Sequence, residues 1–264
     1  MTEAADQALV SVLLNEDARF TFPEGDPFWA RHMQRGYYEP EIDCVLRRAV
    51  DKPYALIDAG ANFGYWSILA SSGSYGRHAA AAIEASHGNF ERLVHNANAN
   101  GNRFHTLHRA VSDVPGKRVR LFGKKHYGLS LRKDWHPDDA DRSEDVETTT
   151  LDEVASRYFP HRQYPAVLKI DVEGVEIEAM LGGRSLIDEG ALVIYEDHGK
   201  EPSHRISRFV MSQPGIVLWS LASDDQPIRI TAIEQVGAIK QNPKLGYNFF
   251  ACRQPSPWVS VFEE

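Results

Sequence analysis

Cysteine is nearly absent from this chain: Cys44 and Cys252 are the only two in 264 residues. Two cysteines cannot staple a disulfide framework, which excludes the small secreted scaffolds and points to a reducing compartment. No uninterrupted apolar stretch approaches the ~18 residues of a membrane-spanning helix, so no span is expected. Met1 to Asp6 is acidic where a signal peptide is basic, and the expected location is the cytoplasm. Positive charge is also short. Lys plus Arg number 29 against 37 Asp plus Glu, a formal net charge of −8. That balance excludes a protein-wide electrostatic footprint for nucleic acid. Internal repeats and low-complexity tracts are missing too, apart from the alanines at 79–82. What is present is ordinary: 42% hydrophobic and 25% charged residues, enough for one large buried core.

Residues 1–50 read as an N-terminal cap. Leu9 to Leu14 is mostly apolar, Glu24-Gly25-Asp26-Pro27 signals a turn, and the aromatics Phe28, Trp29, Tyr37 and Tyr38 follow. Ile42, Val45, Leu46 and Ala49 recur at i, i+3, i+4 and i+7, which predicts a helix over 41–50 with one buried face. From residue 51 to 264 a second, larger unit is expected. Apolar runs at 55–57, 79–83, 104–111, 167–170 and 192–195 predict strands, and helices are predicted over 62–71, 86–100 and 175–181. Ser86 stands at the N-cap of the middle helix and Gly101 at its C′ position. Phe90, Leu93, Val94 and Ala97 form its apolar stripe. This alternation predicts the α/β class, with a doubly wound, mostly parallel sheet. Residues 114–150 interrupt it as an insertion, with a strand at 117–122 pairing with 147–149. Thr150 to Glu153 matches a capping box, opening a helix that stops before Pro160. Two late strands at 216–219 and 248–252 predict an antiparallel addition to the sheet.

The chemistry concentrates at strand ends. Asp58-x-Gly60-x-Asn62-x-Gly64 joins the first strand of the alternation to its helix. Small residues there let a ligand approach the backbone. The spacing does not fit the dinucleotide fingerprint G-x-G-x-x-G. An acid at the strand end suits a cationic amino acid moiety and repels a pyrophosphate. Glu84 closes the next strand, 24 residues past Gly60, where a carboxylate can accept two hydrogen bonds from a ribose diol. Period-2 geometry puts Lys169, Asp171 and Glu173 on one side of a later strand, so Asp171 and Glu173 face the cleft at its carboxyl end. The competing reading is a Lys169–Asp171 ion pair that only fixes the strand end. Glu196-Asp197-His198 ends the following strand similarly. Acids and a histidine beside Asp171 suit metal binding or proton removal, or else His198-Gly199 is a solvated turn. No metal site is assigned.

Together these segments resemble the FkbM family of methyltransferases. The residues that carry the resemblance are Tyr38-Glu39-Pro40, IDAGANFG (57–64), IEAS (83–86), Asn89-Phe90, AVSD (110–113), TTLDEV (149–154), LKIDVEGVE (168–176) and Glu196. The glycine loop is similar to the E/D-x-G-x-G-x-G motif of class I methyltransferases, with Asn62 in place of the middle glycine. The resemblance implies a Rossmann-like fold at 51–264 and S-adenosylmethionine as methyl donor. It also implies, most often, O-methylation of a hydroxyl on a small molecule, sugar or glycolipid. By matching positions it implies a cofactor site of Asp58, Gly60, Asn62, Gly64 and Glu84, with Val111 and Asp113 near the adenine. Asp171 and Glu173 would lie at the methyl-transfer end, with Glu196 and His198 as further candidates for proton removal. The expected partner is a small-molecule or carbohydrate acceptor, with no nucleic acid. The rival class is a non-catalytic cofactor-binding or protein-interaction module on the same fold. Intact Asp58, Glu84 and Asp171 argue against it.

The insertion is the expected source of acceptor specificity. Residues 116–133 hold seven Lys/Arg and no acid, whereas 134–147 hold seven acids and one Arg. Either the basic strip receives a phosphate or carboxylate of the acceptor, or the two strips screen each other. The aromatics of the cap either line the acceptor pocket or pack the cap onto the sheet.

Overall fold

Alternating apolar side chains of the central strands point to opposite faces of one sheet, and each face carries its own core. In the computed structural model, which describes residues 8–123, 125–134, 143–199, 201–242 and 247–263, the chain opens with an antiparallel hairpin. Its strands are β1 (Leu9–Leu13) and β2 (Arg19–Pro23), followed by the helices α1 (Pro27–Arg35) and α2 (Pro40–Arg48). Next come β3 (Ala55–Ala59), α3 (Tyr65–Ala70), β4 (Ala79–Glu84), α4 (His87–Ala99) and β5 (His105–His108). β6 (Ala110–Val111) precedes the insertion, which carries β7 (Arg118–Phe122) and β8 (Ser143–Thr149). The chain then returns through α5 (Leu151–Tyr158), β9 (Val167–Ile170), α6 (Glu176–Leu181), α7 (Arg184–Asp188) and β10 (Leu192–Glu196). It ends with α8 (Arg205–Ser212), β11 (Ile216–Leu221), β12 (Pro227–Ile230), α9 (Ile233–Lys240), β13 (Asn248–Arg253) and α10 (Ser260–Glu263).

The main sheet has the order β12-β11-β13-β10-β9-β3-β4-β5. The run from β10 to β5 is parallel, and β13 is antiparallel to both β10 and β11. The chain leaves β3 outward through β4 and β5, then returns to its other side through β9. The β3–β9 boundary is therefore the switch point, where a crevice opens beyond the carboxyl ends of the strands. Leu56, Val167, Ile194 and Phe250 join one core with the cap residues Phe20, Trp29, Ile42 and Leu46. Ile57, Leu168, Val193 and Phe249 join the other, with α5, α6 and α8. The cap thus shares a core with the sheet. Asn96 of α4 seals that junction, accepting from Thr21 N at 2.9 Å and donating to Thr21 O at 3.0 Å and Phe63 O at 2.8 Å.

Several local expectations change in the fold. The predicted strand 104–111 is broken at Arg109, whose N–H donates to Glu84 O at 3.1 Å. Beyond it, β6 leaves the main sheet and pairs with β8 in a separate sheet of order β6-β8-β7. The helix predicted from Asn62 starts at Tyr65, because Asn62 and Gly64 hold left-handed backbone. Ser86 is the N-cap residue of α4 without a side-chain cap bond. Its N–H goes to Glu84 at 2.8 Å, and Glu144 accepts from the His87 N–H at 3.2 Å. Thr150 caps α5, accepting from Glu153 N at 3.1 Å, but Glu153 turns its carboxylate to Thr149 Oγ1 at 2.7 Å rather than closing the box. Asn89 and Asn96 occupy the buried face of α4, where Phe90 and Val94 are only half-buried.

Candidate active site

The loop after β3 is shaped by close backbone contacts. Gly60 has φ +78°, and a Cβ there would meet the Asp171 carbonyl oxygen at 1.8 Å. Gly64 has φ +90°, and a Cβ would lie 2.6 Å from Leu93. Both positions therefore demand glycine. Asn62, between them, is left-handed at φ 51°, a conformation that asparagine tolerates better than most residues. Its backbone N–H donates to Glu84 Oε2 at 2.8 Å. Its side chain accepts from Trp29 Nε1 at 3.2 Å and donates to His126 O at 2.7 Å. The non-glycine residue of the motif thus ties the cap and the insertion to the loop.

Two carboxyl groups flank this loop. Asp58 is buried at the end of β3, with Oδ2 accepting from Ser67 Oγ at 2.8 Å. Its Oδ1 has no partner among the described residues. Burial raises its pKa against the opposing pull of Lys169 and Ser67. Glu84 accepts from Asn62 N and, through Oε1, from Ser86 N at 2.8 Å and Asn89 Nδ2 at 3.5 Å. Burial nevertheless pushes it up to about 7. An orphaned buried oxygen and a second carboxylate with lone pairs to spare fit a ligand carrying an ammonium group and a diol.

Beyond the switch point the acids share cations. Lys169 is buried and donates to Asp171 Oδ2 at 3.1 Å. Burial works against its charge, yet Asp171, Glu39 and Asp58 together hold its pKa well above the usual lysine range. Glu39 precedes α2 in left-handed backbone, φ 46°, and reaches in from the cap. It accepts from Trp66 Nε1 at 2.6 Å and Asn248 Nδ2 at 3.0 Å. Burial lifts it to about 7, with Asp171 adding and Lys169 opposing. Glu196, at the end of β10, is likewise raised by burial, against the pull of His198. His198 lies between two carboxylates, with Nδ1 3.4 Å from Glu196 and Nε2 3.2 Å from the fully buried Glu176. Burial opposes its charge, but these acids raise its pKa to about 11 and favour the charged ring. Asp197 faces the other way, bonded to Lys240 Nζ at 2.7 Å and Ser207 N at 3.1 Å.

A cavity of about 950 Å³ joins these groups, at the upper end of the roughly 300–1,000 Å³ common for small-molecule sites. Asp58, Gly60, Asn62, Glu84 and Val111 line it on the loop side, and Asp171, Glu173 and Glu196 beyond β9. Gly64, Asp113 and His198 are not among the lining residues: Gly64 packs on α4, Asp113 is exposed beside Ser112, and His198 stands behind Glu196. Sequence reasoning missed Glu39 as a site residue, along with Asn248 and His126, all of which line the cavity. For Glu39 the signal was present in Tyr38-Glu39-Pro40; for the other two it was not. Phe28, Trp29, Tyr37 and Tyr38 line the cavity, and Trp29 and Tyr38 also pack within the cap at 5.0 Å.

The described Lys and Arg of the basic strip do not line the cavity. Arg120 and Arg118 lie 3.1 and 3.7 Å from Asp145, and Arg132 lies 2.8 Å from Asp134. Lys124 and the acids at 138, 139 and 141 lie outside the described residues. Among the described residues, no group of three or more His, Cys, Asp or Glu is arranged to hold a metal ion. No described helix is long and apolar enough to cross a membrane.

A glycine loop at the switch point of this sheet, with an acid closing the next strand, is the Rossmann-like arrangement for a nucleoside-bearing ligand. The family comparison agrees: the profile of the Methyltransferase FkbM domain matches residues 58–213, and the chain belongs to that family. Solved structures similar to it include the methyltransferase FkbM from Methylobacillus flagellatus KT. That match has 14% identity and a TM-score of 0.48, covering 75% of this chain and 43% of the other. The chain thus spans less than half the length of that protein. An O-methyltransferase from Bacillus cereus solved with SAH matches at 10% identity and TM-score 0.43, covering 81% and 78%. A methyltransferase from Geobacter sulfurreducens matches at 11% and 0.45, covering 89% and 92%. Among curated proteins nothing matches.

Proposed function

We propose that the protein transfers a methyl group from S-adenosylmethionine to a hydroxyl of a small-molecule, sugar or glycolipid acceptor. The observation that carries this reading is the wall of carboxyl groups from Glu39, Asp171, Glu173 and Glu196. It lines the same cavity as the glycine loop and meets it at the β3–β9 switch point. When bound, the cofactor supplies an electrophilic methyl on a cationic sulfur. Asp58 and Glu84 hold its cationic and diol groups, through charge-assisted hydrogen bonds of about 1.5–3 kcal/mol each. Asp171, fixed by Lys169, orients the acceptor hydroxyl. Glu196 takes its proton as the oxygen attacks, since burial brings this carboxyl nearer the operating pH than an exposed one. His198 acts behind it, holding the carboxylate in place. Alignment of oxygen, carbon and sulfur supplies the rest, with no covalent enzyme intermediate. The acid-rich cavity and the net charge of −8 support a small acceptor over nucleic acid. Free Cys44 and Cys252 support a cytoplasmic setting.

The test is release of S-adenosylhomocysteine when S-adenosylmethionine is offered with a panel of glycosides, glycolipids and small alcohols. Asp171→Asn keeps the shape and removes the charge. The expected result is a fall in kcat of about 100-fold, with S-adenosylhomocysteine affinity within twofold of the parent. Loss of cofactor affinity instead moves Asp171 into the cofactor site, and activity abolished by EDTA and restored by Mg²⁺ establishes a metal role.

A further inference from the structure

The inner face of the insertion is apolar, and it packs beside the residue that follows Glu84. Ala85 meets a small cluster formed by Ala110, Leu121 and Val146 together with Leu129 and Leu131. Val111, Leu121, Leu129 and Leu131 also line the cavity. Flat, apolar surface next to a diol-binding carboxylate is what a purine ring needs. The chain over this surface is fastened at several points. Phe122 and Ser130 exchange both backbone hydrogen bonds, at 2.8 and 2.9 Å, and Ser130 Oγ donates to the Glu173 carbonyl. The His126 carbonyl accepts from two side-chain amides, Asn62 Nδ2 at 2.7 Å and Asn89 Nδ2 at 2.8 Å. The His126 ring stacks on Phe63 at 4.8 Å, and its Nε2 lies 2.8 Å from Asp26 Oδ2. Tyr127 stacks on Phe28 of the cap at 4.8 Å and 15°.

We propose that residues 125–131 form a strap over the nucleoside half of the cofactor, so that the insertion serves the methyl donor rather than the acceptor. The inference rests on the reading of this cavity as an S-adenosylmethionine site. Asn62 and His126 are its positioning residues. They touch the same residues that shape the ribose end, because the backbone of Asn62 holds Glu84 while its side chain holds the strap. The departure from the glycine pattern at position 62 is then functional. A glycine there would keep the left-handed turn and the N–H to Glu84, and would lose the tether together with the side-chain acceptor of Trp29 Nε1 and Phe63 N.

Asn62→Gly is therefore one variant, and His126→Ala a second that keeps the Asn62–Trp29 bond and removes the stack and the Asp26 contact. S-adenosylhomocysteine and adenosine are titrated calorimetrically into the parent and both variants. Dissociation of S-adenosylhomocysteine is followed by the fluorescence of Trp29 and Trp66, which line the cavity. The expected result is a rise in Kd of at least tenfold for both ligands, with dissociation faster by a similar factor. In the parent, S-adenosylhomocysteine should also protect the bond after Lys125 from trypsin. Unchanged affinity and dissociation in either folded variant overturns the strap. So does normal cofactor affinity with a raised acceptor KM, which returns the insertion to the acceptor. A parent protein that binds neither ligand instead overturns the cofactor reading beneath it.

Discussion

The two halves of the cavity hold their acids by different means. On the nucleoside side Glu84 has no cationic partner among the described residues; its oxygens take N–H groups from Asn62 and Ser86 and the amide of Asn89. On the methyl-transfer side Asp58, Glu39 and Asp171 surround one lysine, and Glu196 and Glu176 share one histidine. Backbone donors fix direction without adding a charge of their own, which suits recognition of a neutral diol. Shared cations leave charge that responds to a neighbour, which suits a site where a sulfonium loses its charge and a hydroxyl loses its proton. The contrast locates binding and chemistry in one continuous space.

Removing the shared cation breaks the contrast most severely. Lys169→Met preserves the stem but takes the counter-charge from the carboxyl groups of Asp58, Glu39 and Asp171. Loss of one partner from a buried ion pair costs about 3–5 kcal/mol, and urea denaturation at pH 8 should show a loss in that range. Lowering the pH protonates the carboxyls, so the deficit should shrink by pH 5. A deficit of the same size at both values would mean that packing, and not charge, is the role of Lys169.

A titration of stability separates the halves further. Glu84 and Glu39 are both raised from 4.5 to about 7 by burial. The folded protein therefore binds these protons more tightly than the unfolded chain. Stability is greatest below about pH 4.5 on this account and falls as pH climbs to about 7, by about 3 kcal/mol for each group. Glu84→Gln should remove its share of that slope and leave the share of Glu39. The amide also gives up one acceptor, so the slope rather than the absolute stability is the readout. A slope identical to the parent would show that Glu84 titrates normally.

Much of this was legible in sequence where the signal is local. Apart from the run broken at Arg109, the strands, the glycine loop and Glu84 are each set by a few neighbouring residues, and they emerge at the places read from the sequence. What sequence hid is carried by distant partners. Glu39 enters from a cap 19 residues before Asp58, and Asn248 from a strand 52 residues after Glu196. His198 reads as a free base beside Asp171 until Glu176, buried on α6, is seen to hold its other nitrogen. Asp197 was readable in principle. In a strand, neighbours face opposite sides, so Glu196 in the cavity sends Asp197 away from it, to Lys240. The break at Arg109 left no local mark, since it depends on β8 arriving from the far end of the insertion.

The smallest expected effect concerns the basic strip, and it tests the contrast from outside the cavity. To receive an anionic acceptor the strip would need one of its cations at the wall, where no described one stands; Arg118 and Arg120 face Asp145 and Arg132 faces Asp134 on the surface. Arg120 and Asp145 lie 3.1 Å apart with side chains 60% and 40% exposed. Such pairs are worth about 0.2–1 kcal/mol, and salt screens them. Arg120→Ala should therefore lower stability by no more than about 1 kcal/mol in low salt and by less in 0.5 M NaCl (roughly a 4–5 Å screening length). Acceptor KM should stay within twofold of the parent. A severalfold rise in KM that fades with added salt would show long-range attraction of an anionic acceptor, and the strip would then belong to recognition after all. A stability loss well above 1 kcal/mol would show instead that Arg120 and Asp145 fix the β7–β8 pairing, on which the apolar floor from Leu121 and Val146 depends.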